Sequence, residues 1–359
     1  MIKRLRSVCL ILLVLSVVIS SGCAAAEKSI LLTFTGDCTL GSEEATRPRE
    51  DSFDSLAASK GLDYFFDNFR TMFENDDQTV INFEGVLSDN KFQESRTKRY
   101  RFRGPTDFVK ILTGSSIETC SLANNHIGDF GKQGEESTKA TLDANNIGWF
   151  QNYKYYIYEK EGIKVAFIAL ENRTVYKEFE KIKKMITKLK ETGEANAIVV
   201  CWHTGLEYRG AHETNTESTS QALIRYGADL VVITHPHVLQ GIQVYNNRCI
   251  FYSLGNFVFG GNFQFFNKRH HTNLRYTAIL QCALSFDADH KYLGCRFNII
   301  PCRLGADTMV NQYQPFPVTG DEADECLKQI QLDTNKFWRI LNVQPDIGAM
   351  QDFIPTRRK

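Results

Sequence analysis

Seven short apolar, β-branched runs recur along the chain: "ILLTFTG", "TVINFEG", "ETCSLANN", "KVAFIAL", "AIVVCWH", "DLVVITH" and "CIFYSLGNF". Most lack a polar face, so they read as strands buried on both sides. Polar, helix-patterned stretches lie between them, at about 64–75, 106–113, 132–145, 176–192 and 217–226. Strand alternating with helix is the pattern of a layered α/β domain. From about residue 274 the texture changes to two longer strands, "LRYTAILQCALSFD" and "KYLGCRFNIIPCRL", around a turn-like "ADH". With Asp287 to His290 as the loop, Phe286 faces Lys291 and Cys282 stands opposite Cys295, close enough for a cross-strand disulfide. A last helix is expected over about 322–341, followed by a polar tail.

The polar residues that end these strands share one chemistry. Asp37 follows the first run, Glu84 the second, Asn125 and His126 the third, His203 the fifth, and His235 with His237 the sixth. Taken singly, each has an ordinary structural reading, as a turn residue, a left-handed asparagine or a core histidine. Together they bring oxygen and imidazole donors to one rim of a sheet, where open α/β folds build their sites. Such a donor set suits a divalent transition metal. His212, His270, His271 and His290 read as surface or loop residues.

Two bounds narrow the partners. Lys plus Arg and Asp plus Glu both number 42, so there is no global basic field for nucleic acid, which is set aside as a partner. Residues 1–26 place Lys3, Arg4 and Arg6 before an apolar run and then small residues, the form of a secretory signal. Cleavage after Ala26, lipidation of Cys23 and retention as a membrane anchor are the competing fates. All three put the rest of the chain outside the cytoplasm, secreted or attached to the outer face of the cytoplasmic membrane. The ten cysteines are spread through a long chain, and those inside apolar runs, such as Cys120 and Cys201, are expected as buried thiols.

Six blocks in order, "GDCTLGS", "NFEGVLSD", "YRFRGP", "LANNHIGDFGKQG", "CWHTGLEY" and "THPHVLQGIQVYNNRCIFYSLGNFVF", carry a resemblance. Over about 30–260 the sequence resembles the CapA-type capsule and poly-gamma-glutamate synthesis proteins, a branch of the calcineurin-like metallophosphoesterase superfamily. The resemblance implies a four-layer α/β/β/α sandwich over 28–310, with 311–359 as a helical extension packed on it. It also implies one or two divalent ions, such as zinc, manganese or iron. Asp37 and His237 would serve the first metal, Glu84 would bridge, and Asn125, His203 and His235 would serve the second. His126 would be the general acid or oxyanion partner and not a ligand, with Asn124 shaping the turn. One departure stands out: where the superfamily has D-x-H, this chain has Asp37-Cys38-Thr39, which weakens the first site.

The substrate is less defined. In an extended "TKRYRFRGP", Arg99, Arg101 and Arg103 face one way, suited to carboxylates or phosphates, although a charged, solvated sheet edge has the same pattern. Two functions fit. One is a metal-dependent hydrolase or transferase acting outside the cytoplasm on an anionic polymer such as poly-gamma-glutamate, or on a phosphoester. The other is a non-catalytic export or assembly component of a capsule machine with a structural metal. A membrane-bound polymer synthase is an implied partner.

Overall fold

The computed structural model describes residues 28–261, 266–267, 272–305, 310–334, 342–344 and 348–353. The 1–26 leader with Cys23, and His270 and His271, lie outside them. Twelve strands carry the two principal sheets: β1 (Lys28–Cys38), β2 (Gln78–Phe83), β3 (Thr119–Ser121), β4 (Gly148–Phe150), β5 (Tyr156–Lys160), β6 (Ile163–Glu171), β7 (Ala197–His203), β8 (Leu230–Thr234), β9 (Ile242–Tyr245), β10 (Arg248–Phe251), β11 (Tyr276–Phe286) and β12 (Tyr292–Arg303). The larger sheet runs β12-β11-β1-β2-β3-β4, with β1 to β4 parallel and β11 and β12 antiparallel. The smaller runs β9-β10-β8-β7-β6-β5, parallel through β10, β8, β7 and β6.

The period-2 alternation of strands sorts the apolar residues into layers. On β6, Val165, Phe167 and Ala169 pack between the two sheets, while Ala166, Ile168 and Leu170 face α3 (Asn172–Glu191) and α4 (Thr214–Arg225). On β7, Val199 and Cys201 turn inward while Val200 and Trp202 turn to the helices. The far face of the larger sheet, with Ile81, Phe83 and Cys120, is covered by α1 (Phe53–Lys60), a phenylalanine-rich 3₁₀ turn at Leu62–Phe69 and α2 (Gly131–Ala144). Helices, sheet, sheet and helices form a four-layer α/β/β/α sandwich, and β2, β7 and β8 are buried on both faces.

Three local expectations are corrected. The segment near 64–75 is a 3₁₀ turn running into a short helix at Arg70–Phe73, and α1, capped by the Ser52 side chain on Ser55 N, was not anticipated. Cys282 stands opposite Phe297, and Cys295 opposite Leu284. Phe286 pairs with Tyr292 in place of Lys291, and the register shifts once more between Ser285 and Phe286, so the partner moves by two positions. All the described cysteines are free and buried, and Cys295 Sγ lies 3.5 Å from Cys249 Sγ, on the other sheet. Third, α5 (Gly320–Thr334) is the only helix described beyond residue 310, and Gly348–Phe353 and Asn342–Gln344 are strands that extend the larger sheet past β12. They pair the backbone groups of an edge that β12 alone would leave open.

At the sheet end opposite the candidate site, burial lifts two carboxyls. Glu118 is raised to about 7, with Asp76 adding to the effect, and Asp76 to about 6, with Asp77 adding to it. The folded chain therefore holds protons that the unfolded chain releases from about pH 4 upward, and stability falls as pH rises toward 7. Glu118→Gln, which keeps an acceptor for the Thr79 N–H now bonded at 2.9 Å, is expected to flatten that decline. Urea midpoints at pH 5 and pH 8 check it; an unchanged difference between them refutes the assignment.

Candidate metal centre

The parallel strands of both sheets deliver their C-terminal ends to one place. β1 reaches it through a register shift between Phe34 and Asp37 that lets Asp37 bridge to Asn256: Asp37 N donates to Gly255 O at 2.9 Å, and Phe257 N to Asp37 O at 2.8 Å. Gly36 is required there, because a Cβ would meet Gly255 O at 2.1 Å. Beyond β3, the Asn124 side chain accepts from His126 N and Ile127 N, both at 3.0 Å, and donates to Phe83 O at 2.7 Å. One asparagine thus ties the Asn125-His126 turn to β2. His203 ends β7. His235 and His237, with φ of 98° and 58°, occupy left-handed backbone after β8, a costly conformation for non-glycine residues that concentrates at functional sites.

The side chains so placed converge. Asn125 Oδ1 lies 2.7 Å from His203 Nε2, Glu84 Oε1 3.8 Å from the same nitrogen, and Asp37 Oδ2 3.3 Å from His237 Nδ1. Donor atoms of Asp37, Glu84 and His237 all lie within 4.8 Å of one another. The His235 ring lies tilted against His203, centroids 4.7 Å apart, and its backbone N–H donates to Asp37 Oδ2 at 3.2 Å.

Electrostatics mark the same spot. Burial and the charge of Asp37 push Glu84 well above the usual carboxylate range, and burial with the neighbouring His235 and His237 pushes His203 well down. Burial and the His237 charge bring His235 down to about 4. On His237 burial acts downward, but the Asp37 hydrogen bond and the Glu84 field overcome it and lift the ring to about 10. The site thus draws a positive charge among its carboxylates. A divalent cation fits the residues present: buried Glu84 Oε1 and His235 Nδ1 have no hydrogen-bond partner, and the donors are carboxylate, carboxamide and imidazole. Asp37, Glu84, Asn125, His203, His235 and His237 are the side chains that could hold it.

His126 stands at the edge of this set. Its Nδ1 lies 2.8 Å from Asp129 Oδ2, and its Nε2 points to Glu84 Oε1 at 3.7 Å. Asp129 is fully buried, accepts from Phe102 N at 2.9 Å and pairs with Lys98 Nζ at 2.6 Å, so it holds the ring from behind. Phe102 packs its edge on His126, and Phe259 bridges Phe102 to His237, with centroids 5.4 and 5.0 Å away, an apolar wall beside the polar cluster.

Sequence reasoning missed four contributors. Asn82 donates to Asp37 Oδ1 at 2.7 Å and touches His203 Nδ1 at 3.3 Å; Asn256 meets His237 Nδ1 at 2.7 Å. Asp129 was legible as the carboxylate three residues after His126. Glu207, in the "HTGLEY" block, has a donor atom within 4.8 Å of His235 and His237. The three arginines do not line up as a row, because the extended stretch covers only Phe102–Gly104. Arg99 is exposed over the Tyr100 ring, Arg101 pairs with Glu94 at 2.8 Å, and Arg103 pairs with Glu44 at 3.0 Å. His212 is buried and not a surface residue: its Nδ1 meets Asp333 Oδ2 at 2.7 Å and its ring stacks on Tyr252.

A family model described as bacterial capsule synthesis protein PGA_cap matches residues 31–261. The capsule biosynthesis protein CapA of Bacillus anthracis is 29% identical over 257 residues, which cover 65% of this chain and 60% of that protein. The PGA biosynthesis protein CapA of Bacillus subtilis (strain 168) is 27% identical over 338 residues, covering 88% of this chain and 81% of that one. Among solved structures, a hypothetical protein from Thermus thermophilus aligns with a TM-score of 0.45 and 13% identity, covering 76% of this chain and 99% of that chain.

Proposed function

The chain belongs to the bacterial capsule synthesis protein family PGA_cap, and on that premise we propose that it is a metal-dependent hydrolase or transferase of capsule polymer synthesis. Its substrate is an anionic polymer of the poly-gamma-glutamate class or a phosphoester, and its leader at 1–26 carries it out of the cytoplasm. The observation that supports an enzyme over an assembly component is the Asp129–His126 pair. An oriented imidazole beside, and outside, a cation-binding donor set has a use in proton transfer and none in a purely structural metal site.

The chain's own residues divide the work as follows. A divalent ion held by Asp37, Glu84, Asn125, His203, His235 and His237 would supply Lewis acidity to a carbonyl or phosphoryl oxygen. Asp129 fixes the His126 ring and keeps a proton on Nδ1, leaving Nε2 turned to the cluster to give or take one. Phe102 and Phe259 shield that face from water.

Turnover tests the reading. The full chain, loaded with Mn²⁺ or Zn²⁺, is expected to cleave or transfer segments of poly-gamma-glutamate, or to hydrolyse an aryl phosphate. Chelation should abolish this and fresh metal restore it. Polymer production in cells that survives His126→Ala unchanged would overturn the enzyme in favour of the assembly component.

A further inference from the structure

The loop 204–213, between β7 and α4, folds back over the His235-Pro236-His237 turn. Thr204 N donates to Thr234 O at 3.0 Å, and Tyr208 N to Pro236 O at 2.7 Å. Gly205, at φ 115°, passes so close that a Cβ there would lie 3.1 Å from the Pro236 ring. Tyr208 itself is left-handed at φ 64°. A loop fixed at both ends of so short a stretch does not place its middle by chance. What it places is the Glu207 carboxylate, exposed on its outer side yet within 4.8 Å of donor nitrogens of His235 and His237.

This carboxylate answers the departure in the first block. Thr39, where the superfamily pattern has an imidazole, is buried and turned to Val258 O, with its N–H at 2.8 Å and its hydroxyl at 3.4 Å. The first block therefore supplies one donor, Asp37. His235 carries an unpartnered buried Nδ1, and Glu207 offers a carboxylate oxygen within 4.8 Å of one of the His235 ring nitrogens. Two histidines and one glutamate is a donor set that binds zinc or manganese and leaves a coordination position for a substrate oxygen.

We propose that Glu207, His235 and His237 form a mouth-side divalent-cation site that adjoins the buried donors and shares His237 with the Asp37–Glu84 cluster, with Glu207 as its exchangeable ligand. The proposal rests on the metal reading of the centre and extends it. A carboxylate on a solvent-facing loop is the ligand that an incoming substrate carboxylate or phosphate can replace, because it can swing into water at little cost.

The test is metal binding to the full chain, free of any activity assay. Mn²⁺ titration followed by calorimetry and by electron paramagnetic resonance is expected to show two classes of site in the wild type. Glu207→Ala and Glu207→Gln should weaken one class by at least about tenfold, a ligand being worth no less than the outer groups that orient it. The other class should persist in both variants and be lost in His203→Ala. Glu207→Asp, one methylene shorter, should fall between. Both classes unchanged in Glu207→Ala, or a single class that Glu207→Ala leaves intact, overturns the mouth-side site while the buried centre stands. A wild type that binds no ion overturns both.

Discussion

His203→Ala is expected to lose the ion of the buried centre on gel filtration, with affinity at that class of site lower by at least about 100-fold. The reasoning begins with position. His203 is the last residue of β7, fully paired on both sides in the parallel register, so its backbone cannot shift to bring another donor forward. Its Nε2 lies 2.7 Å from Asn125 Oδ1 and 3.8 Å from Glu84 Oε1, and its Nδ1 is held by Thr234 Oγ1 at 3.0 Å, which aims the ring. Removing it takes a donor and also the group that orients the carboxamide. His203→Gln, closer in volume, separates the loss of a ligand from a packing defect. Metal analysis gives the first readout and thermal unfolding the second. An ion at about 100 times its dissociation constant stabilises the folded state by about 2.7 kcal/mol, so the wild-type melting temperature should rise further on adding metal than that of either variant. Undiminished metal content in His203→Ala and His203→Gln would remove His203 from the centre.

What the sequence shows of this site follows from where its signals are local. Asp37, Glu84, Asn125, His203, His235 and His237 each end an apolar strand run, so their meeting needed only the rule that parallel strands share a C-terminal rim. Asn82 reads as one more residue of β2, because its partners are 45 and 121 positions away. Asn256 and Glu207 are likewise brought in by loop paths that no periodicity encodes. Asp129 was within reach, since the i,i+3 spacing from His126 places both on one turn. The arginines illustrate the opposite error: alternation in "TKRYRFRGP" predicts a shared face only while the backbone stays extended, and just three residues do. The Cys282 and Cys295 register failed for a related reason, because a longer turn and an irregularity near the hairpin end reset every pair above them. His212 was judged by its polar neighbours, whereas its burial depends on α5 returning over a hundred residues later with Asp333.

Asp129→Asn should lower turnover by roughly 10⁴-fold while leaving the ion and the fold in place, the largest effect expected from a change that removes no ligand. Asp129 Oδ2 accepts from His126 Nδ1, which fixes the tautomer with Nε2 facing the cluster. A carboxamide is the same size and, with its oxygen in the Oδ1 position, still accepts from Lys98 Nζ, at the cost of the one bond from Phe102 N, which ends on Oδ2 beside His126. Its NH₂ group, turned to His126, would donate to Nδ1 and force the ring proton onto Nε2. The imidazole would then face the reacting bond in the wrong form, unable to take a proton there as a base. The loss should fall on kcat with KM little changed, because the contact matters to proton transfer and not to holding substrate. His126→Ala should match it, and the double variant should be no worse than either single one, since the two residues act as a unit. Metal content equal to the wild type in all three is part of the expectation. Full turnover in Asp129→Asn, or losses that simply multiply in the double variant, would separate Asp129 from His126 and leave the imidazole without its positioning partner.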